Sequence, residues 1–465
     1  MSDWHHRAAS EALPRCFWLD SPDRPAPLAP LERDDEADLA IVGGGFTGLW
    51  AAVLAKERAP NRDVVLLESQ RIAEGASGRN GGFVDVSLTH GILNGIHHFP
   101  DEAKVVHELG VQNLHELVAS LERLGIDARY EGNGKLDVAA APYQVEGVRE
   151  HLEAYQRFGM ETRWLDREAT RAELDSPLFE AATFVQPSGI VDPARLCWGL
   201  RDAAIRLGVR IHEQTPVQGL RRAGACIDVR TEGGRVRARH ALLATNAYRS
   251  PLRRTRLFTI PVWDYVLMTE PLDAAQRASI GWARRQGVGD SGNQFHYFRL
   301  THDDRILWGG YDAIYGYGSS TSPAFEARHA TYAALSRHFF ETFPQLEGLR
   351  FSHRWAGCIA TTSRFCLNAG RAMGGRVAWA GGYTGLGVAA SRFGARVALD
   401  LLDGIDAPHL RIELVRKRSL PWPPEPLRYL AVQLTRHELA RADRNGGRRG
   451  IWLELLDRLK LGYDS

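Results

Sequence analysis

The sequence predicts an α/β protein in two parts: a parallel-sheet domain assembled from separated stretches of chain, and an α+β domain built on a mixed or antiparallel sheet. Three observations predict it. The apolar run 39–42 leads straight into Gly43-Gly44-Gly45-Phe46-Thr47-Gly48 and a helical pattern (Leu49, Ala52, Val53). A second apolar run, 64–67, ends in Glu68, 20 residues after Gly48. Residues 261–310 are rich in β-branched and aromatic side chains, the composition of a sheet.

The elements follow in order. A proline-rich arm (Pro22, Pro25, Pro27, Pro30) and the acidic run 32–38 precede the first strand. In the G-x-G-x-x-G turn, Gly43 permits the tight bend, Gly45 lets backbone approach a pyrophosphate, and Gly48 lets helix and strand pack closely. The helix N-terminus stabilises phosphate charge, and Glu68 can accept from a ribose. A second glycine cluster spans 75–82. Val111, Leu114, Leu117, Val118, Leu121 and Leu124 recur at helical spacing and stop at Gly125. Asp192-Pro193 reads as an N-cap with proline at the first helical position, and Gly208 ends that helix. Three short strands over 217–239, the last two joined by Glu232-Gly233-Gly234, make a meander, and 241–244 returns as a buried strand. Residues 323–343 read as helical. The strand 377–380 enters Gly381-Gly382-Tyr383-Thr384-Gly385-Leu386-Gly387 and another helix. Domain limits are expected at 1–90, 190–250 and 352–408 for the dinucleotide domain and at 91–189 and 251–351 for the substrate domain. A C-terminal helical tail, 409–465, completes the chain.

Bulk composition narrows the function. A chain of 465 residues exceeds one simple core. Its net charge of +2 provides no field for nucleic acid. No C-x-x-C spacing links Cys16, Cys197, Cys226, Cys358 and Cys366, so no structural metal site is expected. With no apolar run of bilayer length and no secretion signal, no transmembrane segment is expected and a cytoplasmic location is the default. The tail is basic, and packing on its own domain is favoured over a membrane surface. Only Lys56, Lys104, Lys135, Lys417 and Lys460 are lysines.

Five blocks, in this order, resemble the glycine oxidase/D-amino-acid oxidase family of FAD-dependent oxidoreductases, nearest its γ-glutamylputrescine oxidase-like branch. They are 41–49, 75–83, Ala244-Thr245-Asn246-Ala247-Tyr248, Trp355-Ala356-Gly357 and 381–387. The resemblance implies a discontinuous Rossmann-like FAD-binding domain. Gly43, Gly45 and Gly48, with Phe46 and Thr47, would face the pyrophosphate, and Glu68 the adenosine ribose. Ala76, Ser77, Arg79, Asn80, Gly81 and Gly82 would run beside the ribityl chain and ring. Val217 would meet the adenine through its backbone, and Gly382 to Gly387 (Gly382, Tyr383, Thr384, Gly385, Leu386, Gly387) the pyrimidine edge. Ser69, Arg71, Thr245, Asn246 and Gly357 complete the implied cofactor set. Some relatives attach flavin through a cysteine near Cys358. The local spacing differs, so non-covalent FAD is expected.

The implied reaction is oxidation of a C–N bond in a small amine or amino acid by hydride transfer to flavin N5, giving an imine and then an aldehyde or keto acid. The electron acceptor is O2 or a carrier. Because no lysine occurs between Lys135 and Lys417, a D-amino-acid or N-methyl-amino-acid dehydrogenase is the rival to an oxidase. A non-catalytic flavin-binding protein is a rival of another class. Tyr383 is the first candidate for lining the active site, followed by His90, His296, Arg299 (to pair with a substrate carboxylate) and Trp355. Of these, His296, Arg299 and Trp355 belong to an aromatic-rich set with Trp263, Tyr265, Tyr297, Trp308 and Tyr311.

Overall fold

The computed structural model describes residues 3–459 and 461. The first sheet is parallel at its centre. The strand Asp35–Val42 lies between Arg235–Leu243 and Val64–Leu67, and pairs in parallel with both. Arg210–His212 extends one side and Val377–Gly381 the other, again in parallel. Asn368–Ala372 closes the edge antiparallel. The central strands are buried on both faces: Leu39, Ile41, Val64 and Leu66 lie beneath helices, while Ala40 and Val65 cluster with Ile227 and Val229 of the meander. The expected meander forms from Gly219–Ala223, Cys226–Arg230 and the start of Arg235–Leu243.

Helices Phe46–Arg58, Pro193–Arg206 and Gly387–Asp403 cover this sheet. The Asp192 side chain caps its helix by accepting from the N–H groups of Ala194 and Arg195. The helix Ala103–Leu124 ends on Gly125, whose φ of 64° no branched residue adopts cheaply.

The second sheet has eight strands, in the order Phe351–Thr361, Ile260–Thr269, Ile306–Tyr315, His296–Leu300, Gly287–Asp290, Lys135–Ala139, Ala181–Gln186 and Glu161–Leu165. All neighbours are antiparallel except Gly287–Asp290 with Lys135–Ala139. One face packs an aromatic core of Tyr265, Trp282, Phe298, Trp308, Phe339 and Phe343 beneath the helix His329–Thr342. The other face looks toward the glycine turns of the first sheet. Strand Phe351–Thr361 is the edge of this second sheet, so residues 352–361 do not join the parallel sheet as the sequence led us to expect. Their pattern fits either sheet, and only the pairing of Asp264 with Gly357 and Val266 with Trp355 assigns them.

The tail forms helices Leu427–Arg444 and Ile451–Arg458. The first lies across the second sheet, with Val432 and Leu439 facing inward. No helix among the described residues is long and apolar enough to cross a membrane.

Candidate active site

A cavity of about 800 Å3 runs between the two sheets. One end is the G-x-G-x-x-G turn. Gly43 has φ 111°, and a Cβ there would lie 2.6 Å from the Ala244 carbonyl. A Cβ at Gly48 would lie 1.9 Å from the Gly43 carbonyl oxygen, so only glycine lets this helix sit against its strand. Gly45 is the N-cap of the helix Phe46–Arg58 and supplies no capping side chain. Instead Phe46 N–H donates to Ser77 Oγ at 2.9 Å, which ties the second glycine cluster to the first.

Glu68 lies in the same wall. Its Oε2 accepts from Gly44 N–H at 2.6 Å, and its Oε1 from Gln70 N–H at 2.8 Å and Ser69 Oγ at 3.0 Å. Burial raises its pKa, against the pull of those bonds. A carboxylate has about four acceptor positions, so three bonds leave room for a further hydroxyl. Thr215, Pro216 and Val217 line this end, and Thr245, Asn246 and Gly357 the middle. Asn246 Oδ1 accepts from Gly382 N–H at 3.1 Å and holds the last glycine loop against the first sheet. Backbone turns closed to side chains, a helix N-terminus whose N-cap residue carries no side chain and a carboxylate with spare acceptor capacity suit a dinucleotide.

Some expected cofactor residues stand behind the wall. Gly48 acts through packing. Gly82, at φ 78°, turns tightly against the Val191 carbonyl. Gly382 borders a neighbouring cleft. Arg71 lies outside the cavity altogether, because its guanidinium donates to the Pro25 carbonyl of the proline-rich arm.

The catalytic candidates separate in the same way. His90 lines the cavity beside Gly385, between Phe295 and Phe365, and burial lowers its pKa. Tyr383 also lines it, but its hydroxyl is 2.8 Å from Thr47 Oγ1 and lies against Gly394. It ties helix Phe46–Arg58 to helix Gly387–Asp403 and is not free for substrate. The other three belong to the sheet and its packing. Trp355 is buried and donates from Nε1 to the Arg79 carbonyl at 2.8 Å. His296 sits behind the wall, with Nδ1 2.7 Å from Asp290, Nε2 3.0 Å from His338, and Trp308 stacked on its ring. Arg299 cannot meet a substrate carboxylate: it is 2 % exposed and donates to the backbone carbonyls of Val191, Leu300 and Gly81. Burial lowers its pKa to about 10. Arg299→Met should therefore lower stability by about 2 kcal/mol through orphaned carbonyls. The substrate KM of the folded enzyme should stay near wild type, which thermal melting and steady-state kinetics would check.

The sequence reading missed the polar half of the wall. Lys135 Nζ lies 2.9 Å from Asp85 Oδ2 and 3.6 Å from Asp137 Oδ1, and donates to Tyr155 Oη at 2.9 Å. Burial opposes its charge, but Asp137 and Asp85 outweigh that and raise its pKa. Asp264 and Asp290 line the same space, as does Tyr297 of the expected aromatic set. The alternation Lys135-x-Asp137 put both on one strand face, but nothing in the sequence said which face looks on the cavity.

The tail closes the mouth. Thr435, Arg436 and Leu439 of helix Leu427–Arg444 line the cavity, and Arg436 pairs with Asp312 at 3.0 Å. Asp443 fastens this helix by accepting from Asn293 N–H at 2.9 Å, Asn293 Nδ2 at 2.7 Å, Gln294 N–H at 3.0 Å and Tyr143 Oη at 2.9 Å. Asp443→Ala should loosen the helix by about 2 kcal/mol. Faster amide exchange over 427–444 and a several-fold higher KM are the expected readouts.

A parallel sheet with a glycine-turn fingerprint, facing a second sheet across a shared cavity, is the build of a dinucleotide-dependent oxidoreductase. The chain belongs to the DAO family, described as FAD dependent oxidoreductase, whose model matches residues 38–401. It is 30% identical over 392 residues to the gamma-glutamylputrescine oxidoreductase of Escherichia coli (strain K12), covering 83% of this chain and 88% of that one. It is 28% identical over 400 residues to the probable oxidoreductase OrdL of Haemophilus influenzae, covering 84% and 89%. Among solved structures, glycine oxidase from Geobacillus kaustophilus superposes with a TM-score of 0.68 at 20% identity, over 80% of this chain and 96% of that chain. L-Proline dehydrogenase from P. horikoshii gives 0.67 at 18%, over 82% and 97%. These two likenesses concern the fold.

Proposed function

We propose that this chain uses non-covalently held FAD to oxidise a C–N bond of an amine or amino acid, giving an imine that water hydrolyses to an aldehyde or keto acid. The observation that carries this reading is the charge of the wall facing the glycine turns. The cavity is lined by seven carboxylates, Asp85, Asp137, Asp264 and Asp290 among them, against four cations, Arg79, Lys135, Arg249 and Arg436. Such a surface attracts a cationic amine. The name of the Escherichia coli relative, gamma-glutamylputrescine oxidoreductase, points to the same substrate class.

In this reading Gly43, Gly45 and the first N–H groups of helix Phe46–Arg58 hold the pyrophosphate. Glu68 takes a ribose hydroxyl, and Val217 meets the adenine. Residues 76–81 flank the ribityl chain and ring. Residues 384–387 approach the pyrimidine edge, where the N-terminus of helix Gly387–Asp403 stabilises negative charge. FAD, when bound, supplies the acceptor for a hydride equivalent. The protein's work is to orient the α-carbon, keep bulk water out and favour the neutral amine. Cys358 supports non-covalent attachment. Gly357 and Ile359 line the cavity while Cys358 points into the aromatic core, with its thiol raised to about 12 by burial.

Oxygen is our first reading for the electron acceptor. One observation favours a carrier instead: the charge of Lys135 is already compensated by two carboxylates. Turnover with and without oxygen, using a dye as acceptor, separates the two. Anaerobic mixing with a panel of amines and amino acids examines the reaction itself. Bleaching of the flavin's visible band by at least one compound is expected, and failure of every compound would sink the proposal. Denaturation should release yellow colour into the supernatant.

A further inference from the structure

Most charged groups on the cavity wall are tied to partners of opposite charge or to a ring nitrogen: Lys135 to Asp85 and Asp137, Arg436 to Asp312, Asp290 to His296. Asp264 is different. Its side-chain partner is a neutral hydroxyl, that of Tyr297, which donates to Asp264 Oδ2 in a very short hydrogen bond. A phenol that has given its proton to a carboxylate keeps its acceptor lone pairs, and Tyr297 lines the cavity.

The ring is held rigidly. A Cβ on Gly309 would lie 2.5 Å from Tyr297 Cζ, so the ring lies directly over that glycine. Phe83 meets it edge-on at 5.6 Å between centroids. On its other side, Gly81 approaches so closely that a Cβ there would lie 2.8 Å from Tyr297 Cε2. Tyr297 therefore sits between the 79–83 loop and Asp264, whose strand partner is Gly357.

We propose that Tyr297 and Asp264 take the proton from the substrate ammonium, with Tyr297 Oη as the catalytic group that receives it and Asp264 as the positioning residue behind it. This rests on the amine reading above. The N–H bond breaks as an O–H bond forms at Tyr297, and the former Tyr297 proton moves to the Asp264 carboxylate. Ammonium and carboxylate become amine and carboxylic acid, with no change in electron count. The amine lone pair is then free for C–N oxidation. Asp264 suits the role, since burial raises its pKa to about 6 against the pull of Tyr297 and of the Tyr265 and Gly310 N–H groups. The charged and titratable neighbours are His296, next to Tyr297 on strand His296–Leu300 and paired with Asp290, and Asp312 on the adjacent strand Ile306–Tyr315, paired with Arg436. Arg79 on the 79–83 loop is paired with Glu326, and Lys135 across the sheet with Asp85 and Asp137.

The experiment uses wild-type, Tyr297→Phe and Asp264→Asn holoenzymes matched for FAD content and melting temperature. Anaerobic flavin reduction is followed by stopped flow as a function of pH, with an amine that bleaches the wild type. Both variants should be slower by about 100-fold near neutral pH. They should recover toward the wild-type rate once the pH exceeds the amine's own pKa, because the substrate then arrives deprotonated. A second readout is the affinity for tert-butylammonium, which has no α-hydrogen to lose, measured by flavin difference spectra. Tyr297→Phe should weaken it by about tenfold. Equal slowing at every pH with unchanged tert-butylammonium affinity would overturn the relay, as would a wild-type profile in Asp264→Asn. Wild-type bleaching combined with either result removes this inference alone, whereas no bleaching removes the amine reading.

Discussion

Gly48→Ala is expected to yield a protein that loses FAD and melts far below the wild type. The new methyl would lie 1.9 Å from the Gly43 carbonyl oxygen and 3.3 Å from Ile41 Cγ2. Neither can retreat. Gly43 sits at φ 111° with its N–H bonded to the Leu67 carbonyl at 2.9 Å, and Ile41 belongs to the central strand. The helix must therefore move off the strand and carry its N-terminal N–H groups away from the cavity. Overpacking of this kind costs about 3 kcal/mol. Absorbance of the purified protein reports FAD content and calorimetry reports stability. Gly147→Ala is the control. Its Cβ would meet nothing within 4 Å and it lies within helix Val145–Arg157, so stability should rise by about 0.5–1 kcal/mol. Wild-type FAD content in Gly48→Ala would contradict the packing role of this glycine.

The second large effect is expected at Lys135. Lys135→Met leaves Asp85 and Asp137 in the cavity wall without their cation, and removing one partner of a buried ionic cluster costs about 3–5 kcal/mol. The pH dependence carries a sign. In the wild type, burial pushes the Asp85 pKa up, but Lys135 and its hydrogen bond outweigh this and hold it below the ordinary carboxylate range. Asp85 thus contributes stability that is present above its unfolded pKa and lost as pH falls through the folded one. Without Lys135 burial is opposed only by the smaller pulls of the Ser87 N–H bond and His107, and the folded pKa is expected to move above the unfolded one. The penalty is then largest at neutral pH, shrinks as pH falls through the raised folded pKa, and vanishes only below the unfolded value of about 4, where both states become protonated. Urea unfolding at neutral and mildly acidic pH checks this, since the gap between variant and wild type should narrow on acidification. A gap independent of pH would mean that Lys135 acts through packing of its methylenes.

Much of the first sheet was legible in the sequence because its signals are local. A strand–turn–helix needs glycine at fixed positions for steric reasons, and those positions, Gly43, Gly45 and Gly48, are two and three residues apart. The same locality exposed the Asp192-Pro193 cap and the stop at Gly125. The substrate side was read less well. Trp355, His296 and Arg299 carry the residue types of an active site, yet each lies behind or beneath the wall with its polar atoms bound to backbone or to another side chain. Tyr383 reaches the cavity but binds Thr47 through its hydroxyl. Strand alternation distinguishes two faces and does not say which one borders the cavity. Lys135, Asp137 and Asp264 were thus indistinguishable from surface residues of a sheet. The tail was read as packing on its own domain, and its place over the cavity mouth depends on Asp443 meeting Asn293 and Gln294, a contact spanning about 150 residues.

By itself, then, the sequence determined the glycine turn between strand and helix, because short-range steric rules dictate it residue by residue, and the order of its motif blocks marked the family. Tertiary structure alone decided which polar groups share the cavity, that Lys135 is held between Asp85 and Asp137, and that the Tyr297 hydroxyl donates a hydrogen bond to Asp264. Those pairings join strands and loops distant in the chain, and their energies depend on burial and on separations of a few ångström that no local pattern encodes.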